Sequence, residues 1–253
     1  MVSNGIRWSS FYFVPLALSL LNTAAFFVAF REYETETASA QLHTALEQTV
    51  SRQISRDEKK DILKKAIRNR TTILGALLIF AYQAAEVSIS GWVISFLIDY
   101  RNGDPAAVGY VTSGFWGGIT FGRFVLVAPA HKIGDRISII ILIALTAGFQ
   151  LMVWLLPNVI GAGVAVAMVG VLLGPIYPCG TGVFSRLLPG HLQITSLGLI
   201  GSVGSSGGAC GPLIVGAMAQ KLGTVVLNPV CIALCVVMEA AWLGLPRVSK
   251  RRE

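Results

Sequence analysis

The sequence has little charge. Only 13% of its 253 residues are Asp, Glu, Lys or Arg, and 54% are hydrophobic, whereas a soluble domain carries about 25% charged residues. The charged residues are also clustered, so that long uncharged runs separate them. This composition excludes an ordinary soluble domain and is typical of a protein that lies in a bilayer.

Residues that hold metals, disulfides or catalytic groups are scarce as well. The four cysteines all lie in apolar runs, and two of them, Cys231 and Cys235, are four residues apart. A structural zinc site usually needs four ligands, and the neighbouring sequence supplies no others. We therefore expect no metal and no disulfide framework. The three histidines lie in polar segments and suggest no Ser-His-Asp set, so we expect neither an enzyme nor a cofactor.

Long apolar runs, by contrast, are abundant. A helix of roughly 20 apolar residues crosses a hydrocarbon core about 30 Å thick. The sequence therefore predicts an all-α polytopic membrane protein with seven transmembrane helices, since seven runs reach this length: 11–30, 72–98, 106–127, 137–156, 159–184, 195–219 and 224–245. The first run is longer than a signal-peptide core, and no clear A-x-A cleavage site follows it, so we expect it to remain in the mature chain.

The basic residues predict the orientation. With the N-terminus outside and seven spans threaded, 17 of the 20 Lys and Arg residues fall on the inner side. An excess of Lys and Arg marks the cytoplasmic side of a membrane protein. We therefore expect an outside N-terminus and a cytoplasmic C-terminus. The net charge of +7 is then a topology signal, and no nucleic-acid partner is expected.

Residues 31–71 form the single long polar segment. Ser55 and Glu58 fit the S-x-x-E capping box that begins a helix, and an apolar face follows at Ile62, Leu63, Ala66 and Ile67. We expect an amphipathic helix on the cytoplasmic surface or against the helix bundle. The alternative is a solvated loop.

A carboxylate, Glu86, lies near the middle of run 72–98. Such a group costs at least about 2.5–3.5 kcal/mol at mid-membrane, so it usually faces a bundle interior or a wet cavity. Tyr82, Gln83 and Ser90 lie three or four residues from Glu86 and extend it into one polar stripe. The stripe suits a polar solute or a proton; the alternative is a protonated carboxyl that bonds a neighbouring helix.

The run 106–127 carries glycines at every fourth position, Gly114, Gly118 and Gly122. Small residues at this spacing let helices pack closely in a membrane. We place Arg123 at the inner end of the span. The loop that follows contains Asp135 and Arg136 and could lock helix ends together by charge pairing; the alternative is an ordinary solvated turn.

The stretch GPIYPCG, residues 174–180, interrupts another run. Pro175 and Pro178 each remove a backbone donor and break the helix. Non-helical backbone at this depth occurs only against protein or a water-filled cavity, so Tyr177 either lines a cavity or packs between helices. The glycine-rich stretch 201–211 lacks the G-K-[ST] ending of a phosphate loop. Glu239 is a second intramembrane carboxylate, nearer the inner end of its span.

The last six spans form two groups of three, each with a glycine-rich middle member, as in transporters built from inverted repeats. Four segments in this order, YQAAEVSISGW, GYVTSGFWGGITFGRFVL, GPIYPCG and GSSGGACGPLIVGAMAQ, resemble the major facilitator superfamily. They are most similar to its fungal fucose-permease-like branch, the bypass-of-stop-codon type. The similarity covers about residues 70–246.

The resemblance implies a proton-coupled, twelve-helix carrier of sugars or related small polar solutes. Residues 72–246 would be its C-terminal six-helix bundle, 1–30 would hold the last helix of the N-terminal half, and 31–71 would be the central cytoplasmic loop. Residues 247–253 would be a basic cytoplasmic tail. The first five helices have no counterpart, so we expect a partial chain that needs a complementary N-terminal half.

The resemblance also implies a cytoplasmic-loop signature within GITFGRFVLVAPAHKIGDR. It departs from the fuller form at Ala130 and His131. The residues that match the signature are Gly122, Arg123, Gly134, Asp135 and Arg136.

We expect six residues to line a solute cavity: Tyr82, Gln83, Glu86, Trp92, Trp116 and Tyr177. Their aromatic faces could stack on a sugar ring while Gln83 and Glu86 supply hydrogen bonds. The expected partners are the lipid bilayer, a small polar solute and protons. Two alternatives remain open, a non-transporting half-transporter that regulates or assembles with a carrier, and a heptahelical receptor.

Overall fold

The computed structural model describes residues 12–30 and 56–246, with side chains omitted at 56–59. The predictions for residues 31–55 and for the tail 247–253 concern residues outside the described ones. The chain divides into two units, 1–59 and 60–253. In the first unit the described element is helix α1, Phe13–Phe30.

The second unit is built of helices throughout its described residues. In chain order they are α2 (Arg56–Arg68, which begins in the first unit), α3 (Arg70–Asp99), α4 (Pro105–Ile133), α5 (Asp135–Leu155), α6 (Val159–Leu173), α7 (Ile176–Leu187), α8 (Gly190–Leu222) and α9 (Leu227–Leu243). Helix α2 lies within the segment for which the sequence predicts an amphipathic helix.

Seven segments of the described chain are long and apolar enough to cross a membrane. They are Phe13–Phe30, Arg70–Asp99, Pro105–Ile133, Asp135–Leu155, Val159–Leu187, Gly190–Leu222 and Thr224–Leu243. The predicted all-α polytopic class is therefore confirmed, and each predicted run corresponds to one of these segments.

Several helices extend beyond the apolar runs because their polar ends are capped. The Asn69 side chain accepts hydrogen bonds from the amides of Thr71 and Thr72, and Asp104 caps α4 with Pro105 as its first residue. An N-cap residue satisfies amides that a helix start leaves free. Helix α3 thus reaches 30 residues, about 45 Å, which exceeds the hydrocarbon thickness.

The run predicted at 159–184 is two helices in the structure. Helix α6 ends at Leu173, and α7 begins at Ile176 after a turn at 174–175. Pro175 and Pro178 cannot donate to the carbonyl oxygens four residues before them, at Val171 and Gly174. The predicted helix break is present, and it leaves two carbonyl groups without their usual intrahelical partners.

Glycines set the closest helix contacts. Helix α4 packs against α6, and α3 packs against α8. A Cβ atom added at Gly122 would overlap the Val171 carbonyl, and one added at Gly207 would overlap the carbonyl of Phe80. Neither position has room for a side chain unless the two backbones separate.

We predict that Gly122→Ala destabilises the protein, whereas Gly117→Ala, on the same helix, does not. A Cβ at Gly117 would meet nothing within 4 Å, and both changes bring the same gain in helix propensity of about 1 kcal/mol. Overpacking costs about 1–3 kcal/mol, so the Gly122 variant should unfold at a lower temperature in detergent. Equal melting temperatures for the two variants would contradict the close α4–α6 contact.

Candidate functional site

One cavity of the helix bundle brings charged, polar and aromatic side chains together. It has a volume of about 250 Å³. Its lining residues are Tyr82, Gln83 and Glu86 of α3, Arg123 of α4, and Tyr177 and Pro178 of α7. Three helices, α3, α4 and α7, thus contribute to one polar site.

Burial leaves polar atoms of this site without a regular hydrogen bond among the described residues. Glu86 is 6% exposed and Tyr82 is fully buried. One Glu86 carboxylate oxygen, Oε2, and the Tyr82 hydroxyl make no hydrogen bond of normal geometry, although the two side chains lie close enough to interact with each other. A buried polar group without a partner is costly, so these atoms are available to a solute, a proton or water.

Two tyrosines form the aromatic part of the cavity. The ring centroids of Tyr82 and Tyr177 are 5.9 Å apart, with the planes tilted by 51°. Tyr177 is placed by the proline-broken segment, since it lies between Pro175 and Pro178. The arrangement presents aromatic faces beside the carboxylate of Glu86.

Arg123 occupies a different position from the predicted one. The sequence places it at the inner end of its span, as part of the loop signature, but α4 continues for ten residues beyond it to Ile133. That distance is about 15 Å along a helix. Gly122 and Arg123 therefore lie inside α4, ten or more residues before its end, and Arg123 lines the cavity with Glu86.

The helix break explains why Arg123 is held there. Its Nε atom donates a hydrogen bond to the Gly174 carbonyl oxygen at 3.4 Å. This is the carbonyl that Pro178 leaves without an intrahelical donor. Arg123 thus satisfies a freed backbone group and also brings a positive charge close to Glu86.

The two predicted tryptophans lie elsewhere. Trp92 lines another cavity with residues of α8, and its indole N–H donates to the Pro212 carbonyl at 3.2 Å. Trp116 packs edge-on against Phe115 and is 43% exposed. It lies seven residues before Arg123, two turns away on the same face of α4, and is absent from the lining of the Glu86 cavity.

The rest of the predicted loop signature gathers at one end of the bundle, around the turn between α4 and α5. The buried Asp135 carboxylate pairs with His131 and with Arg186 of α7. Arg136 donates to the carbonyls of Leu245 and Pro246, beyond the end of α9. Gly134 has a φ of +110°, a conformation that favours glycine, and separates α4 from α5. These contacts join the ends of four helices, α4, α5, α7 and α9, by charge and hydrogen bonding.

Comparison with known proteins agrees with this architecture. The profile of the Major Facilitator Superfamily matches residues 1–212, most of the chain. The chain belongs to this superfamily. The predicted family resemblance is therefore confirmed, and the major facilitator fold accounts for a multi-pass, all-helical bundle.

The relatives of this major facilitator chain are longer than the chain itself. It is 23% identical over 267 residues to Bypass of stop codon protein 6 of Saccharomyces cerevisiae, covering 98% of this chain and 53% of the yeast protein. It is 30% identical over 171 residues to a glucose/galactose transporter of Brucella abortus, covering 61% of this chain and 37% of that transporter. The chain thus spans about half the length of the yeast relative, and less of the bacterial one.

A double-mutant cycle tests the role given to Arg123. Arg123→Gln should lower the melting temperature in detergent, because a buried acceptor left without a donor costs about 1–3 kcal/mol. Pro178→Ala restores an N–H four residues after Gly174, so in that background Arg123→Gln should cost less. Lys221→Gln, at an exposed lysine, serves as the charge-matched control. Strictly additive effects of the two changes would contradict the proposed carbonyl contact.

Proposed function

We propose that the bundle 72–246 is the C-terminal half of a secondary transporter, and that the Glu86 cavity is part of its solute pathway. The observation that carries this proposal is a buried carboxylate in a membrane span, facing a polar cavity beside an arginine. Intramembrane ionisable groups commonly mark solute or proton pathways. This favours a transporter over an enzyme.

The proposed solute is a sugar or another small polar molecule. Tyr82 and Tyr177 offer aromatic faces, while Gln83, Glu86 and Arg123 offer donors and acceptors around the same space. Ligand pockets usually hold about 300–1,000 Å³, so a cavity of about 250 Å³ fits part of a pocket that a second half would complete. The glucose/galactose transporter among the relatives supports the sugar class.

The proposed coupling ion is the proton. Glu86 and Arg123 carry opposite charges in the same cavity, with Tyr82 and Tyr177 as its other titratable groups. A proton bound by Glu86 would leave the charge of Arg123 without its partner and would change how strongly the site holds a polar solute. Such linkage between proton and solute binding is what a symporter needs.

The proposal requires a second helix bundle in addition to the bundle 72–246. Alternating access arises when one repeat or bundle moves against another around a fixed midplane site. We therefore propose that uptake needs a second half, contributed by the same polypeptide or by another chain. A bundle that instead binds and regulates a carrier without transporting is the second candidate.

We propose that the N-terminus is outside and the C-terminus cytoplasmic. If Arg123 is counted with the span because it shares the cavity of Glu86, 16 of the 20 basic residues remain on the inner side. The pairs formed by Asp135 and Arg136 would then lie at the cytoplasmic end. Charge pairs at this end could open and close as the halves move.

The uptake test uses the chain alone and joined to the preceding spans of the yeast relative, in cells that lack hexose carriers. Glucose and galactose uptake should occur with the joined protein and should rise at acidic outside pH. Uptake by neither protein, together with altered uptake by a co-expressed carrier, would favour the regulatory candidate.

In the joined protein we predict that Glu86→Gln lowers uptake at least about tenfold and removes its pH dependence, since the proton-binding group is lost. Glu239→Gln is the matched control: Glu239 is also an intramembrane carboxylate, but it does not line the Glu86 cavity. Unchanged uptake and pH dependence in the Glu86 variant, with normal expression, would rule out its coupling role.

A further inference from the structure

Helix α2 carries a basic groove that the transport proposal does not use. The groove has a volume of about 470 Å³ and lies where α2 meets α3. Asp61, Lys64, Lys65, Arg68 and Asn69 line it. Three cations against one carboxylate make this an anion-attracting surface.

The groove borders an exposed apolar edge of the same helix. Leu63 is 43% exposed and Ile67 is 52% exposed; four residues apart, they lie on one side of α2. Lys64 and Arg68 each follow one of these residues and are therefore turned about 100° around the helix. Apolar residues flanked by basic ones are typical of a helix that lies in a membrane interface.

The position of α2 in the chain holds this edge near the bilayer. Asn69 alone separates α2 from the membrane-spanning α3, and its side chain caps α3. On the first turns of α3, Ile73 and Leu77 are 53% and 43% exposed and continue the apolar surface. The cations thus lie at the boundary where lipid headgroups begin.

We propose that this groove binds the headgroup phosphate of an anionic phospholipid. The Lys64, Lys65 and Arg68 side chains would pair with the phosphate and carboxylate oxygens, while Leu63 and Ile67 contact the acyl chains. The proposed topology places the groove at the cytoplasmic leaflet, where anionic lipids give a negative surface potential. The lipid then anchors α2 beside the start of α3.

The experiment measures lipid binding to the purified full chain in detergent by native mass spectrometry. Phosphatidylserine should be retained in preference to phosphatidylcholine. Each basic residue near the surface contributes roughly a fivefold gain in affinity, so Lys64→Gln/Lys65→Gln should weaken phosphatidylserine binding about tenfold or more. Both side chains are exposed, so the variant should keep its melting temperature.

The matched control is Lys132→Gln/Lys221→Gln, which removes two exposed lysines outside the groove and should leave phosphatidylserine binding unchanged. Equal loss in both double variants would overturn the proposal, because it would show a general charge effect. Equal retention of the two lipids by the unaltered chain would also overturn it.

Two further arms identify the source of the anion. Leu63→Ser/Ile67→Ser keeps the cations and should weaken phosphatidylserine binding, since the acyl contact is lost. Inorganic phosphate should displace the lipid poorly even in large excess. Displacement by phosphate at concentrations similar to those of the lipid, or normal lipid binding by the serine variant, would point to a soluble anion and overturn the lipid assignment.

Discussion

The arrangement of the bundle depends on two carbonyl groups that cannot be satisfied within their own helix. Pro175 and Pro178 leave the carbonyls of Val171 and Gly174 without an intrahelical donor, and hydrocarbon offers no water to replace it. Both carbonyls face α4. Gly122, which has no side chain, lets the Val171 carbonyl approach, and Arg123 donates to that of Gly174. The same contact places Arg123 and Tyr177 beside Glu86, so the helix break and the proposed solute site have one physical origin.

Charged side chains lie at three places in the bundle, and different contacts stabilise them at each place. In the span, Glu86 and Arg123 share a cavity, where opposite charges offset part of the cost of burial. At one end of the bundle, Asp135 pairs with Arg186 while Arg136 binds carbonyls beyond α9, so the ends of several helices are joined. At the boundary of the bilayer, the cations of α2 remain exposed and can meet lipid anions. The contacts at the helix ends thus hold the bundle together, while the cavity that we propose for solute lies apart from them.

Much of the fold could be predicted because membrane spans have a simple signal. Length and hydropathy predict all seven spans, and two prolines predict the broken one. The polar stripe of Tyr82, Gln83 and Glu86 also follows from spacing along one helix. Arg123 was misplaced because the apolar run ends at 127, so that an arginine four residues earlier resembles an interfacial one. The role of Arg123 is visible only in the folded structure, where it donates to the Gly174 carbonyl in the turn between α6 and α7. The two residues are 51 positions apart in the sequence. Trp92 lies outside the Glu86 cavity because its indole packs against α8, and Trp116 packs against Phe115 of its own helix; spacing along one helix predicts neither contact.

The most direct test of the central claim is whether the Glu86 cavity is open to water and occupied by solute. The measurement is thiol labelling by a membrane-impermeant reagent, in the joined protein with its four native cysteines replaced. Gln83→Cys lies in the cavity, and Leu77→Cys, on the same helix, is exposed outside it. The account predicts rapid labelling at position 83 that glucose or galactose slows, with little labelling at position 77. Absence of labelling at position 83, or labelling that no sugar alters, would contradict a sugar pathway through this cavity.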